Sequence, residues 1–340
     1  MKNYVKRNLF EIPDQAGLVA LPVRLVIGWA YFSAFWRRVA LENKLNPDMP
    51  GYIGEKFNHF LPNALGIKPV IGYLVTHPDL LRWSMITFTI VEAVVGLCLI
   101  LGLFTRLMSL GVLALALGIL LGSGWLGTTC LDEWQIGILG VAGGFTLFLT
   151  GGGTYSMDRL LASRDLWFVK SWWFAWLASG SVPISTRFVL AGTAVVITLT
   201  LFTNQYFHGG VYGPLHNKSV SPSIEVSEAS LADGVLRFTV YRTEGVDVYG
   251  SFLIGVTVVD EANQIPVLSV DGQQLSALPV QDIANHYVAK VKPGMHSLVI
   301  PLGAKARVTI DAKHTHLAPG RRYTVVLTDI SGATWSSGIA

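Results

Sequence analysis

Two cysteines and 14% charged residues in a chain of 340 exclude a good deal before any motif is read. Two thiols cannot hold an iron–sulfur cluster, and no C-x-x-C-H segment attaches a haem. No G-x-G-x-x-G follows a strand-like run, so a Rossmann-bound flavin is not indicated. His314 and His316 share one face of a strand or loop but lack a third ligand nearby, so no metal site is expected. A net charge of +3 is too small to suggest nucleic acid, and no block of like charges forms an interaction tail. Soluble domains carry about 25% charged residues. A chain that is 51% hydrophobic, with mean hydropathy +0.48, exceeds what a soluble core absorbs.

The apolar residues are unevenly placed. Nine of the ten tryptophans precede residue 177, and the last third reads as an ordinary soluble domain. A membrane part followed by a soluble part is expected. A spanning helix needs roughly 20 mostly apolar residues to cross about 30 Å of hydrocarbon. Five stretches qualify: 18–36, 83–104, 107–124, 134–150 and 188–203. The first follows Lys2, Lys6 and Arg7, as a signal peptide would. It is long, however, contains Arg24 and runs into FWRR with no small-residue cleavage site, so it reads as a retained helix.

With the amino terminus in the cytoplasm, Lys2, Lys6, Arg7, Arg106, Arg159, Arg164, Lys170 and Arg187 fall inside. Arg37, Arg38, Lys44, Lys56, Lys68 and Arg82 fall outside, in one long loop. The positive-inside rule favours this arrangement by a small margin. It places the C-terminal third and Cys130 on the extracytoplasmic side of the cell (inner) membrane.

Within the loop 37–82, EKFNHFLPNALGI and KPVIGYLV mix aromatic and polar residues, as amphipathic pieces lying on a membrane surface do. GGGTYSMDRLL lacks the lysine and the flanking strand of a P-loop and reads as helix termination with a turn. DLWFVKSWWFAWLASG has the composition of an aromatic belt at the inner interface. Beyond Thr203 the period changes to two. VLRFTVYR, GSFLIGVTVVD, HYVAKVK, HSLVIPL, ARVTID and RRYTVVLTDI alternate, with turn signals such as Asp271-Gly272 between them. That pattern predicts an antiparallel β-sandwich, immunoglobulin-like, with no cysteine pair to staple it. The expected architecture is a four-helix membrane bundle at 1–165, an interfacial aromatic segment and fifth transmembrane helix at 166–204, and an extracytoplasmic sandwich at 205–340.

Chemistry concentrates in GTTCLDEWQIG, a polar break between two apolar runs. Asp132 is placed to N-cap the following helix, with Gln135 at capping-box spacing. Cys130 then lies just upstream of a helix N-terminus, where unpaired N–H groups favour a thiolate. Two readings of Cys130 stand: a reactive outward thiol, or a compact apolar filler. Cys98 is expected about 15 residues from the outer end of its helix, roughly 22 Å deeper. That is too far to bridge to Cys130. Arg24 and Glu92 are charges inside predicted helices, where such groups face a partner or a cavity. Pairing with each other is the expectation, with proton transfer as the functional alternative. Trp125 and Trp134 flank the polar break, where tryptophans anchor a membrane interface. His208 and His216 follow the fifth helix, at the outer mouth of the bundle.

The first helix RLVIGWAYFSAFWRRVALENK, with VEAVVGLCLILGLFTRL, GTTCLDEWQIG and GGGTYSMDRL, resembles the DoxD subunit of thiosulfate:quinone oxidoreductase. DoxD is related to the DoxX group of four-helix membrane proteins. The tail from about Thr186, with HGGVYGPLHNKS and the sandwich, is similar to the DoxA subunit. The resemblance implies a DoxD–DoxA fusion that oxidises two thiosulfates to tetrathionate and reduces a diffusible membrane quinone. In that frame Cys130 is the catalytic candidate. Arg37, Arg38, Lys44 and Arg82 are candidate clamps for the thiosulfate sulfonate, and Trp125, Trp134, Asp132, Glu92 and Arg24 are candidates for quinone binding or proton transfer. The lipid bilayer is the remaining partner, and a homo-oligomer is compatible with the sequence. The alternative is a non-enzymatic, membrane-anchored binding or assembly module of the DoxX kind, its sandwich docking a partner.

Overall fold

A computed structural model describes residues 14–49, 51–127, 132–164, 166–245, 252–315 and 317–339. Cys130 and His316 lie outside the described residues, as does the side chain of Asp132. By contact, the chain forms two compact units that do not follow chain order. One comprises residues up to Tyr52, Arg82–Leu121 and Glu133–Gly213. The other comprises Ile53–Leu81, Gly122–Asp132 and Pro214–Ala340.

Helices are α1 (Asp14–Val19), α2 (Leu21–Trp36), α3 (Glu55–Phe60), α4 (Lys68–Val75), α5 (Pro78–Leu101), α6 (Thr105–Ser123), α7 (Asp132–Thr150), α8 (Met157–Ala162), α9 (Trp172–Leu177) and α10 (Thr186–His208). Proline opens α5 and sits in the first turn of α2, where a missing N–H costs nothing. Ser185 caps α10, its Oγ accepting from Phe188 N at 3.2 Å. Helices form at all five expected stretches. Among the described residues, α5, α6 and α10 are long and apolar enough to cross a membrane. The 16 residues of α2 cover about 24 Å, short of the roughly 30 Å of a hydrocarbon core; the chain then continues directly into a π-helical turn, Arg37–Leu41.

In the helical unit, α2 buries Arg24, Gly28 and Tyr31 along one stripe, and α5 buries another. On α5 the stripe is Met85, Thr89, Glu92, Val95 and Leu99, recurring every three or four residues. Val95 and Leu99 of this stripe join Tyr31, Val112, Leu115 and Leu147 in a shared core. The outer faces carry Val26, Trp83, Ile90, Leu139 and Leu190, all exposed, an arrangement that suits hydrocarbon rather than water.

The second unit holds two antiparallel sheets. Its strands are β1 (Ser223–Ala232), β2 (Val235–Glu244), β3 (Phe252–Asp260), β4 (Pro266–Asp271), β5 (Ile283–Asn285), β6 (Lys292–Pro293), β7 (Leu298–Val299), β8 (Lys305–Asp311), β9 (Tyr323–Asp329) and β10 (Thr334–Gly338). One sheet runs β1-β2-β8-β5. The other runs β10-β9-β3-β7-β6, with β4 beside β3. Their inner faces meet in one core that includes Leu236, Phe238, Val256, Val258, Val308 and Val325, as the two-residue alternation predicts.

Two sequence expectations need correcting here. HYVAKVK is not a strand. Asn285 donates to Val291 O at 3.0 Å and accepts from Val291 N at 2.7 Å, so one side chain closes a loop across the segment. Asp271-Gly272 is not a hairpin turn. Asp271 and Gln274 form a capping box that starts a short helix, α11 (Gly272–Ser276).

The segments EKFNHFLPNALGI and KPVIGYLV do form helices, α3 and α4, but not pieces lying free on a membrane surface. They belong to the sheet unit. Asn58 is fully buried, donates to Gly303 O at 3.1 Å and accepts from Ala289 N at 3.0 Å. Asn63 donates to Thr243 O at 3.0 Å. Gly303 has φ +74°, and a Cβ there would collide with the Asn58 carbonyl, so only glycine permits this approach.

Candidate functional site

The helical unit holds a charged cluster. Arg38, on the π-helical turn after α2, pairs with Glu92 on α5, and its guanidinium lies 5.7 Å from the Phe88 ring centre. Glu92 is 3% exposed, so the pair is withdrawn from water on the carboxylate side. A π-turn changes the direction of the side chains that follow a helix, and such turns recur at functional sites. Thr89, one turn before Glu92 on the same face, is buried, and its Oγ1 has no hydrogen-bond partner among the described residues. An unmade hydrogen bond of that kind costs about 1–3 kcal/mol.

The expected Arg24–Glu92 pair does not form. Gly28 and Gly96 pack backbone to backbone, and that register sets Arg24 against Gly102, ten residues beyond Glu92. Arg24 is buried and donates to the carbonyls of Gly152 and Tyr155, the latter at 2.5 Å. The glycine cluster after α7 is therefore a carbonyl cradle for an arginine.

The four candidate clamp residues differ in what they are free to bind. Arg38 is committed to Glu92. Lys44 is 2.8 Å from Glu42, and Arg37 Nε donates to Ser33 O at 3.3 Å. Arg82, exposed in the first turns of α5, has no hydrogen bond or ion pair among the described residues. Tyr52 is 3% exposed, and its hydroxyl has no partner among the described residues. Burial pushes the Tyr52 phenol above its ordinary range, and the charge of Arg82 pulls it partly back. Trp134, near the start of α7, donates from Nε1 to Thr203 Oγ1 on α10 at 3.0 Å. The backbone of Asp132 begins α7, within a residue of the expected boundary. Cys98 is a free thiol on α5.

One polar knot was missed from the sequence. Asp158 on α8 is fully buried and accepts from Phe104 N at 2.7 Å, Thr105 N at 3.0 Å, Thr105 Oγ1 at 2.8 Å and Ser179 Oγ at 2.5 Å. It caps α6 from 53 residues away, so no local cap signal betrays it. Burial pushes its carboxyl up, against the pull of these hydrogen bonds. Arg106 beside it donates to Phe148 O at 3.1 Å and Ala175 O at 2.9 Å.

Residues 19–185 match the family model of the TQO small subunit DoxD, and residues 207–338 match that of the TQO small subunit DoxA. The chain belongs to both families, DoxD first and DoxA second. TQO is thiosulfate:quinone oxidoreductase, so the general activity attached to both parts is thiosulfate oxidation with quinone as acceptor. With its apolar helices, the DoxD part makes this a membrane protein.

In the sheet unit, DoxA residues hold the approach to the Cys130 segment. Ser219 and Asn217 belong to the HNKS stretch. Ser219 Oγ donates to Trp125 O at 3.1 Å and accepts from Gly127 N at 3.0 Å, while Asn217 Nδ2 donates to Gly127 O at 2.8 Å. Trp125 is 1% exposed and donates from Nε1 to Phe60 O at 3.2 Å. Among the described residues, no three His, Cys, Asp or Glu side chains stand close enough to hold a metal ion.

Proposed function

We propose that this DoxD–DoxA chain oxidises two thiosulfates to tetrathionate and passes two electrons to a membrane quinone, with Cys130 as the covalent centre. The observation that carries the reading is the presence of both TQO small-subunit families in one chain. The Arg38–Glu92 pair supports it, since an ionisable group inside a spanning bundle is expensive and marks function more often than packing.

Three displacements account for the atoms and electrons. The Cys130 thiolate adds to the quinone, which takes up one proton. The sulfane sulfur of a first thiosulfate attacks the cysteine sulfur, and the quinone moiety leaves with the electron pair and a second proton as quinol. The sulfane sulfur of a second thiosulfate then attacks that of the cysteine–thiosulfate adduct. Tetrathionate leaves, and the thiolate is restored. Covalent catalysis of this kind divides the coupling of two anions into separate steps. Glu92, an ionised carboxylate in its pair with Arg38, is the relay that takes up each proton and passes it on to the quinone, and Trp134 borders the quinone. Arg37, Lys44 and Arg82 supply positive charge for thiosulfate. The topology proposed has five spans, with the sandwich and Cys130 extracytoplasmic.

The test compares purified wild type with Cys130→Ser, using a short-chain quinone and following residue 130 by intact-protein mass spectrometry. Thiosulfate-dependent quinone reduction and a thiosulfate-sized adduct are expected in the wild type and absent in the variant. Full turnover in Cys130→Ser would sink the adduct mechanism.

A further inference from the structure

Gly127 precedes Cys130 by three residues, and DoxA side chains hold its backbone on both sides. Its N–H donates to Ser219 Oγ at 3.0 Å, and its carbonyl accepts from Asn217 Nδ2 at 2.8 Å. The Ser219 hydroxyl also donates to Trp125 O at 3.1 Å, and Asn217 Oδ1 accepts from Ser219 N at 2.9 Å, so the two side chains brace each other. Ser219 is fully buried. Lys218, between them, is fastened within the same unit: its carbonyl accepts from Gly245 N at 2.8 Å, and its Nζ donates to Asn63 Oδ1 at 2.9 Å.

Gly127 lies within the DoxD match and Asn217 and Ser219 within the DoxA match, yet all three belong to the sheet unit. Glycine has the widest choice of φ and ψ of any residue. A hydrogen bond to the peptide plane on each side of it removes that choice, and so fixes the direction in which the chain goes on toward Cys130. We propose that Asn217 and Ser219 are positioning residues for the Cys130 thiol, DoxA side chains setting the exit direction of the DoxD segment that carries it. This rests on Cys130 as the covalent centre, and it gives the DoxA part a task in a reaction whose thiol belongs to the DoxD part. Placement matters to the rate, since about 1 Å of error can cost on the order of a hundredfold.

The experiment uses the full-length protein with Ser219→Ala and Asn217→Asp. The second keeps the oxygen that accepts from Ser219 N and loses only the donor to Gly127 O. Steady-state kinetics give kcat and the KM for thiosulfate and for a short-chain quinone. In parallel, a nitroxide label on Cys130, in a Cys98→Ala background with no other thiol, reports the motion of that residue by electron paramagnetic resonance. Both variants are expected to lower kcat by about a hundredfold with both KM values at wild type, and to narrow the lines of the label. Asn58→Ala serves as the control for general loosening of the same unit. It lowers the unfolding midpoint and leaves kcat and the line shape unchanged.

Wild-type kcat and line shape in Ser219→Ala and Asn217→Asp overturn the proposal. So does an equal effect of Asn58→Ala, which would make the clamp a matter of stability alone. Full turnover in Cys130→Ser defeats the covalent reading separately, because the label reads the placement of residue 130 without any turnover.

Discussion

Arg38 and Glu92, 54 residues apart in sequence, meet as an ion pair inside the helical unit, with Phe88 beside the guanidinium. Charges withdrawn from water are held only by each other, so removing one strands its partner. The pair therefore ties the π-turn after α2 to the middle of α5.

Arg38→Met is expected to destabilise the protein by about 3 kcal/mol, and Glu92→Gln by less, since Arg38 is the more exposed partner. The double variant Arg38→Met/Glu92→Leu should recover most of the lost stability in detergent unfolding. Quinone reduction should not return with it. Activity that tracked stability through all three variants would make the pair merely structural.

Asn58→Ala removes two hydrogen bonds and leaves Gly303 O and Ala289 N unpaired, at a cost of about 2–3 kcal/mol. Gly303→Ala should cost more, because it forces a Cβ into the Asn58 carbonyl at positive φ. Protease susceptibility around 286–303 reports both.

His59 carries a pH dependence. Burial, then the charges of Lys56 and Arg242, hold its folded pKa down to about 4, against an ordinary 6.5. Above pH 6.5 the ring is neutral in both states and the effect vanishes. Between 6.5 and about 4 the unfolded chain takes up a proton that the folded protein refuses. Stability therefore falls as pH falls through that window, by up to about 3 kcal/mol, and then levels off. The difference between wild-type and His59→Gln unfolding curves across pH isolates this contribution; parallel curves would show that His59 titrates normally.

Asp158→Ala unpairs the first amides of α6 together with the Thr105 and Ser179 hydroxyls, and should cost at least about 2 kcal/mol. Hydrogen exchange at Phe104 and Thr105 should rise well above that at mid-helix amides.

The five helical stretches were legible because hydrocarbon requires long apolar runs, and β2, β3, β8 and β9 because a half-buried strand alternates. Glu92 and Arg24 stood out as charges inside apolar runs, but their partners did not. Those were decided by the register that Gly28 and Gly96 allow, which is a property of two packed backbones. The docking of α3 on the sheets was equally hidden. It depends on Asn58 reaching backbone atoms of Gly303 and Ala289, and a main-chain acceptor leaves no mark in composition. Tyr52 escaped notice because an unmade hydrogen bond has no sequence pattern at all.

The sheet unit is assembled from Ile53–Leu81, Gly122–Asp132 and Pro214–Ala340, and that discontinuity bears on how the protein is made. At about 5–20 residues per second, the first stretch leaves the ribosome roughly seven to twenty-seven seconds before the last begins to follow. For that time the inward face of α3, with Asn58, has no sheet to meet. Nascent chains halted before residue 214 should engage folding helpers and be degraded quickly. The final third of the chain thus acts, within the molecule, as chaperone to a loop synthesised long before it.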